Sequence, residues 1–362
     1  MKILAAFDSF KESMTAYAAG EAVQRAYNNV HVCPLADGGE GTMEVMNHYL
    51  HGDIHEIEVA GPLFKTVHAK LAIMDDLAII ESAQACGLDY LTEEEKNGTE
   101  ATSYGVGEMM KYAYDHGVKR FLLTLGGSAC NDGGIGLLSG MGYGFFDQFD
   151  QRIPMNARGL ETLDHIKKTR LDLSNIEVEG ACDVTNPLCG KEGATYVFGP
   201  QKKVKDLEKT DQAMKHYAKI MSELVGKDDS CVSGAGAAGG MGYAIVTGLN
   251  GKLVTGFDAV SRTVHLEEAI QEADIIFTGE GKMDHQTLYG KTPIGVLRLA
   301  QKYNKPVVAF CGKCEDKETL LEAGFEDVRC INHTDEPLSV LLEKGPQYLE
   351  EEVRRYLEEK NV

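Results

Sequence analysis

The chain has 362 residues, 43 % of them hydrophobic and none of them Trp, which is enough to bury a sizeable core and to divide into two domains. Its 36 Lys and Arg stand against 56 Asp and Glu, a net charge of −20, so the bulk field repels nucleic acid and anionic membrane, and an anionic ligand has to be met by local donors. Nine scattered cysteines read as reduced thiols, the apolar run before Asp8 is too short for a signal peptide, and no stretch is long enough to span a bilayer; a cytoplasmic address is expected.

In chain order, "KILAAFD" (2–8) predicts a strand and "TAYAAGEAVQRAY" (15–27) a helix with Thr15 at its N-cap. "HVCPLAD" followed by "TMEVMNHYL" repeats the alternation. Next come three close-spaced strand candidates, "IHEIEVAGPLF", "TVHAKLAIM" and "LAIIESA", which predict an antiparallel or mixed element inserted into the first unit. The alternation returns at "KRFLLTL" with "GIGLLSGMG", and at "DIIFTGEG" with "TPIGVLRLAQKY" and "PVVAF". The C-terminal "PQYLEEEVRRYLEEK" reads as a solvated amphipathic helix, or less readily as an acidic partner-binding tail. The expected fold is α/β. Residues 1–60 plus 265–362 form a discontinuous Rossmann- or flavodoxin-like parallel-sheet domain, 61–264 an inserted mixed α/β domain, and the active site lies in the cleft between them.

Acids recur where the apolar runs stop: Asp8, Asp37, Glu81, Asp183 and Glu280. In open α/β sheets ligands bind beyond the carboxyl ends of the strands, so residues far apart in sequence can converge there, although any one of them can equally cap the next helix. Glycine supplies the second ingredient, in "DGGEGT" (37–42), "GGSACNDGG" (126–134), "SGAGAAGGMG" (233–242) and "TGEGKMD" (278–284). Without a Cβ such loops let backbone N–H groups approach a phosphate, or they serve simply as turns and close packing. "GAGAAG" fits the dinucleotide fingerprint but lacks a convincing strand before it, and "YGKT" lacks the Walker A glycine because His285 stands five residues before Gly290. "FCGKC" sets Cys311 and Cys314 in C-x-x-C spacing after a strand, a weak redox or metal signal. What remains is anion-binding loops plus carboxylates able to hold Mg²⁺, with Lys11 available to neutralise a phosphate or a small carboxylate. Phosphoryl transfer needs all of these.

Together "DSFKESMTA", "PLADGGEGT", "ESAQACGL", "ATSYGVGE", "LGGSACNDGG", "CDVTNPLCG", "GATYVFGPQK", "GAGAAGGMG" and "IIFTGEGKMDHQTLYGKTPIGV" resemble the bacterial glycerate kinase family of the glycerate 2-kinase type, in family order to about residue 310. The resemblance implies ATP- and Mg²⁺-dependent phosphorylation of D-glycerate to 2-phosphoglycerate on a two-domain α/β fold. A 3-phosphoglycerate product, another small hydroxy acid, or a non-catalytic sensor remain alternatives, the last disfavoured by so many carboxylates. The sequence departs from the family at Glu12, Met14, Thr15, Lys203, Lys282 and Met283. Carried onto this chain, the match implies Asp8, Ser9 and Lys11; Asp37, Glu40 and Thr42; Ser128, Asn131 and Asp132 with Gly126 and Gly127; Asp183 and Asn186; and Glu280 and Asp284. Among these the expected roles are Asp183, Lys11 and Asp8 catalytic; Ser9, Asp37, Glu40, Thr42 and Asn186 on the substrate; and Glu280 and Asp284 on the metal. Residues 126–128, Asn131, Asp132, Gly236 and Gly239 are expected on the phosphate or nucleotide. Asp183 is read as general base, with metal ligand or loop cap as alternatives and Asp8 next in line. A monomer or homodimer is expected, with neither nucleic acid nor membrane as partner.

Overall fold

The structure is a computed structural model that describes residues 1–39, 41–284, 287–288, 291–333 and 336–361. Its strands are β1 (Ile3–Ala5), β2 (Val30–Val32), β3 (Asp53–Ala60), β4 (Thr66–Met74), β5 (Leu77–Glu81), β6 (Arg120–Thr124), β7 (Gly144–Phe146), β8 (His165–Lys167), β9 (Glu177–Ala181), β10 (Lys252–Val254), β11 (Ile275–Met283), β12 (Val307–Cys314) and β13 (Asp327–Cys330). The chain forms two compact units: Met1–Asp37 with Glu44–Leu50 and Phe257–Val362, and Gly38–Met43 with His51–Gly256.

In the first unit five strands lie in the order β13-β12-β11-β1-β2, all parallel. Counted within the unit this is 2-1-3-4-5, the flavodoxin-like order, whose direction reverses between β1 and β11. The ladder runs past the short β1, since Ala6 and Asp8 donate their amides to the carbonyls of Phe277 and Gly279 at 2.8 and 3.0 Å. Asp8 therefore emerges beside Glu280 at the topological switch point. Gly279 permits this crowding, because a Cβ there would meet the Phe310 carbonyl oxygen at 1.8 Å. Phe7, Phe277, Phe310 and Tyr356 build the core, with the Phe277 and Tyr356 rings edge-on at 5.5 Å.

The C-terminal helix Gly345–Glu359 is amphipathic, as its sequence predicted, but it is not merely solvated. Leu349, Val353, Tyr356 and Leu357 enter the core, and the buried Glu352 accepts from Arg329 at 2.5 Å, His333 at 2.7 Å and Arg355 at 2.8 Å. Three partners around one buried carboxylate offset its desolvation.

The second unit carries a mixed sheet in the order β10-β9-β6-β5-β4-β3. β3, β4 and β5 form the antiparallel meander their close spacing predicted, and β5, β6, β9 and β10 are parallel. Glu81, Thr124 and Ala181 lie level across β5, β6 and β9, so the segments after them leave one edge side by side. A small antiparallel pair, β7 and β8, completes the strands described.

Thr15 caps the helix Ala16–Ala26, its hydroxyl accepting from the Ala18 amide at 3.1 Å. Thr15→Ala should cost about 1 kcal/mol in denaturant unfolding without changing the m-value.

Candidate active site

The switch point of the first unit gathers acids and a few donors. The Asp8 carboxylate accepts from the Ser9 amide at 2.7 Å and from the Thr292 hydroxyl at 2.5 Å. Thr292 opens the helix Thr292–Gln301, whose Pro293 suits a first turn that needs no amide donor. Burial, and then the negative charge of Asp37, push the Asp8 carboxyl up to about 7, against the two hydrogen bonds; Glu280 adds to the rise. Glu280 itself is raised by burial and drawn back by Lys291, whose ammonium lies 3.2 Å away, and by the Thr287 hydroxyl at 3.0 Å. Thr287 also accepts from the Asp284 amide at 3.1 Å, and Lys282 reaches the Asp284 carboxylate at 3.0 Å. Asp8, Asp37, Glu280 and Asp284 are thus brought into one electrostatic neighbourhood, with Ser9 and Lys11 exposed on the turn after β1. Sequence reasoning missed Thr287, Lys291 and Thr292, which lie at or just before the helix start in the stretch set aside for failing the Walker A spacing.

In the second unit the turn after β6 answers to a different chemistry. Gly127 is exposed with φ +66°, and a Cβ on Gly126 or Gly127 would meet nothing closer than 3.5 Å. Gly127 and Ser128 are fixed from below, because Gly127 accepts from the Leu88 amide at 2.9 Å and Ala129 donates to Cys86 at 2.7 Å. Among the described residues no protein acceptor takes the amides of Gly126, Gly127 or Ser128. Beneath them Lys202, which sequence reasoning did not assign, is buried and donates to the Ser128 hydroxyl at 3.0 Å and the Cys130 carbonyl at 2.8 Å.

The neighbouring residues serve mainly to hold this loop. Asp132 is fully buried, and its carboxylate accepts from the Ser103 amide at 2.8 Å, the Ser103 hydroxyl at 2.9 Å, and the amides of Gly134 at 2.9 Å and Gly136 at 3.3 Å. Its two oxygens thus take four donors from the surrounding backbone and Ser103. Asn131 is buried too; its Nδ2 donates to the Thr195 hydroxyl at 2.9 Å, while its Oδ1 has no partner among the described residues. Gly236 and Gly239, expected at a nucleotide, are packed against backbone. A Cβ would meet the carbonyl oxygens of Pro187 at 2.3 Å and Cys130 at 2.2 Å, and Gly239 has φ +69°. Thr42 is likewise buried, its hydroxyl donating to the Gly39 carbonyl at 2.8 Å.

After β9, Asp183 is exposed and accepts from the Gly256 amide at 3.1 Å, and Asn186 spends its amide on the Glu192 carbonyl at 2.7 Å. Cys311 and Cys314 lie within β12 rather than after it, both as free thiols, and Cys314 is drawn down to about 7 by a hydrogen bond from Cys311. Among the described residues no group of three or more His, Cys, Asp or Glu is arranged to hold a metal, and no helix is long and apolar enough to cross a membrane. Glu40, His285 and Gly290 lie outside the described residues.

Comparison with known proteins meets this arrangement from the other side, since the profile of the Glycerate kinase family matches residues 3–359. The chain belongs to the glycerate kinase family. It is 40 % identical over 362 residues to a glycerate kinase of Haemophilus influenzae, covering 96 % of each chain. It is 38 % identical over 328 residues to the glycerate 2-kinase of Escherichia coli K12, covering 87 % of this chain and 86 % of that one. Among solved structures, the protein assigned as glycerate kinase 2 from Salmonella typhimurium LT2 matches with a TM-score of 0.91 at 37 % identity, over 100 % of this chain and 98 % of that one.

Two outcomes follow from this geometry. An acid whose pKa is raised on folding holds its proton more tightly in the native state, so its contribution to stability is complete at low pH and lost as pH rises from about 4 to about 7. Relative to Asp8→Asn, the wild-type protein should therefore lose roughly 2–4 kcal/mol between those limits, read by urea unfolding at several pH values. Gly239→Ala meets both a left-handed φ and a backbone oxygen, and should lower stability by more than about 2 kcal/mol whether or not a nucleotide is present.

Proposed function

We propose that the protein transfers the γ-phosphoryl group of ATP to the 2-hydroxyl of D-glycerate, giving 2-phosphoglycerate and ADP. Family membership supports the reaction class, and the observation that carries the mechanism is Asp8. A carboxylate at the switch point, pushed up to about 7 and oriented by Thr292, is tuned to take a proton near neutral pH. In this reading the glycerate oxygen attacks phosphorus, its proton passes to Asp8, and the bond from phosphorus to the ADP oxygen breaks. Lys11 and Ser9 on the adjoining turn bind the substrate carboxylate, and Asp37 keeps Asp8 basic by its charge. The amides of residues 126–128 hold phosphoryl oxygens. Asp132 and Asn131 shape that turn, and Gly236 and Gly239 carry chain packing.

The donors fit Mg²⁺, which takes oxygen ligands and commonly only one or two carboxylates beside phosphates and water. Glu280 and Asp284 would hold it, and the ion would supply charge neutralisation on the phosphates. Asp183 is the rival for the base; it is exposed, and its bond to the Gly256 amide suits a loop cap.

Phosphorus NMR of the product formed from D-glycerate and ATP tests the reaction. 2-Phosphoglycerate is expected, 3-phosphoglycerate would revise the acceptor oxygen, and no turnover by folded protein would refute the reading. Asp8→Asn should lower kcat by roughly 10² to 10⁴ with glycerate affinity nearly kept, and should abolish an activity rise with pH centred near 7. If Asp183→Asn shows that pattern instead, the base is Asp183.

A further inference from the structure

Lys202 is a buried cation that the proposed mechanism leaves without a task. Only 3 % of it is exposed, and among the described residues no carboxylate comes within ion-pair distance of its ammonium. Its two hydrogen-bond acceptors, Ser128 Oγ and the Cys130 carbonyl, are neutral. The titratable groups around it are Cys130, Cys86 and Asp132; the Asp132 oxygens are already taken by Ser103, Gly134 and Gly136. Burial pulls the lysine below its ordinary range, as expected for a charge taken from water without a counter-ion. A protein keeps such a group at a stability cost, and directly above it stands a turn whose three amides have no acceptor among the described residues.

The hydroxyl of Ser128 connects the two. Because Oγ accepts from Lys202, its own hydrogen is left to donate, and the ammonium polarises that O–H toward any anion on the turn. The Lys202 backbone is held in place as well, its carbonyl accepting from the Gly98 amide at 2.6 Å.

We propose that Lys202 is the positioning residue of a phosphoryl-binding site made by the amides of Gly126, Gly127 and Ser128 and the Ser128 hydroxyl, and that a bound phosphoryl group is its missing counter-charge. This rests on the kinase reading and names a residue that sets its phosphate grip. The phosphoryl group comes from the nucleotide or from the phosphorylated product, which share the same chemistry.

The test compares wild type with Lys202→Met, which keeps the stem and removes the charge. Calorimetric affinities are measured for a non-hydrolysable ATP analogue, 2-phosphoglycerate and D-glycerate. Affinity should fall roughly 10- to 100-fold for one or both phosphorylated ligands and stay unchanged for D-glycerate, a split that a merely structural role would not produce. Loss confined to the analogue places the nucleotide on the turn, and loss confined to 2-phosphoglycerate places the transferred group there. Unchanged affinity for both, or equal losses for all three ligands, overturns the inference while wild-type turnover leaves the kinase reading standing. Wild type that neither turns over D-glycerate nor binds the phosphorylated ligands refutes the kinase reading itself. Should Lys202→Met not fold, Ser128→Ala decides, because it removes the hydroxyl that links Lys202 to the turn: the same selective loss is expected, and unchanged affinity for both phosphorylated ligands would overturn the proposal.

Discussion

Folding withdraws the Asp8 carboxylate from water beside two other acids, and the chemistry of the first unit depends on how that cost is met. The parallel order of the sheet sets β1 next to β11, and the ladder continues to the Asp8 amide, so the backbone that carries the carboxylate is held at the switch point. Burial and the field of Asp37 favour the neutral acid, while Thr292 and the Ser9 amide favour the ion. A group left between those influences is pushed up to about 7, which suits the base proposed for it. Lys291 and Lys282 set an ammonium beside Glu280 and Asp284, at 3.2 and 3.0 Å.

The second unit solves the opposite problem. The chain is acidic in net terms, yet this unit presents, among the described residues, three amides with no protein acceptor on one turn and a lysine beneath them without an acid partner. Asp132 matters here through what it holds. By gathering Ser103, Gly134 and Gly136 it fixes the helix start that follows the turn, and the turn keeps its left-handed glycine and its free donors.

Much of this was legible in the sequence, because short apolar runs ending in Asp or Glu and followed by helical periodicity report a parallel sheet and its carboxyl edge together. The β3 to β5 meander showed in its spacing, and the Thr15 cap in its residue type. Glycine was less transparent. Gly127 and Gly239 look alike in sequence and both adopt positive φ, but a Cβ on the first would only touch the Ala83 Cβ at 3.5 Å, whereas on the second it would meet a carbonyl oxygen at 2.2 Å. Only the tertiary fold separates a cradle from a packing contact. The donors that tune the acids were hidden for a similar reason: Thr292 lies 284 positions from Asp8, and Lys202 lies 74 from Ser128, distances that local pattern cannot bridge. The C-terminal helix misled in the other direction, since its many charges hid a stripe of Leu349, Val353, Tyr356 and Leu357 that completes the core.

The account stands on the protonation of one carboxyl. Carbon-13 NMR of protein labelled at the aspartate carboxyl, with the Asp8 signal assigned by its loss in Asp8→Asn, follows that group directly through a pH titration. A midpoint near 7 is predicted. A midpoint near the ordinary aspartate value of about 3.9 would contradict it, because the carboxylate would then have no tuning for proton transfer.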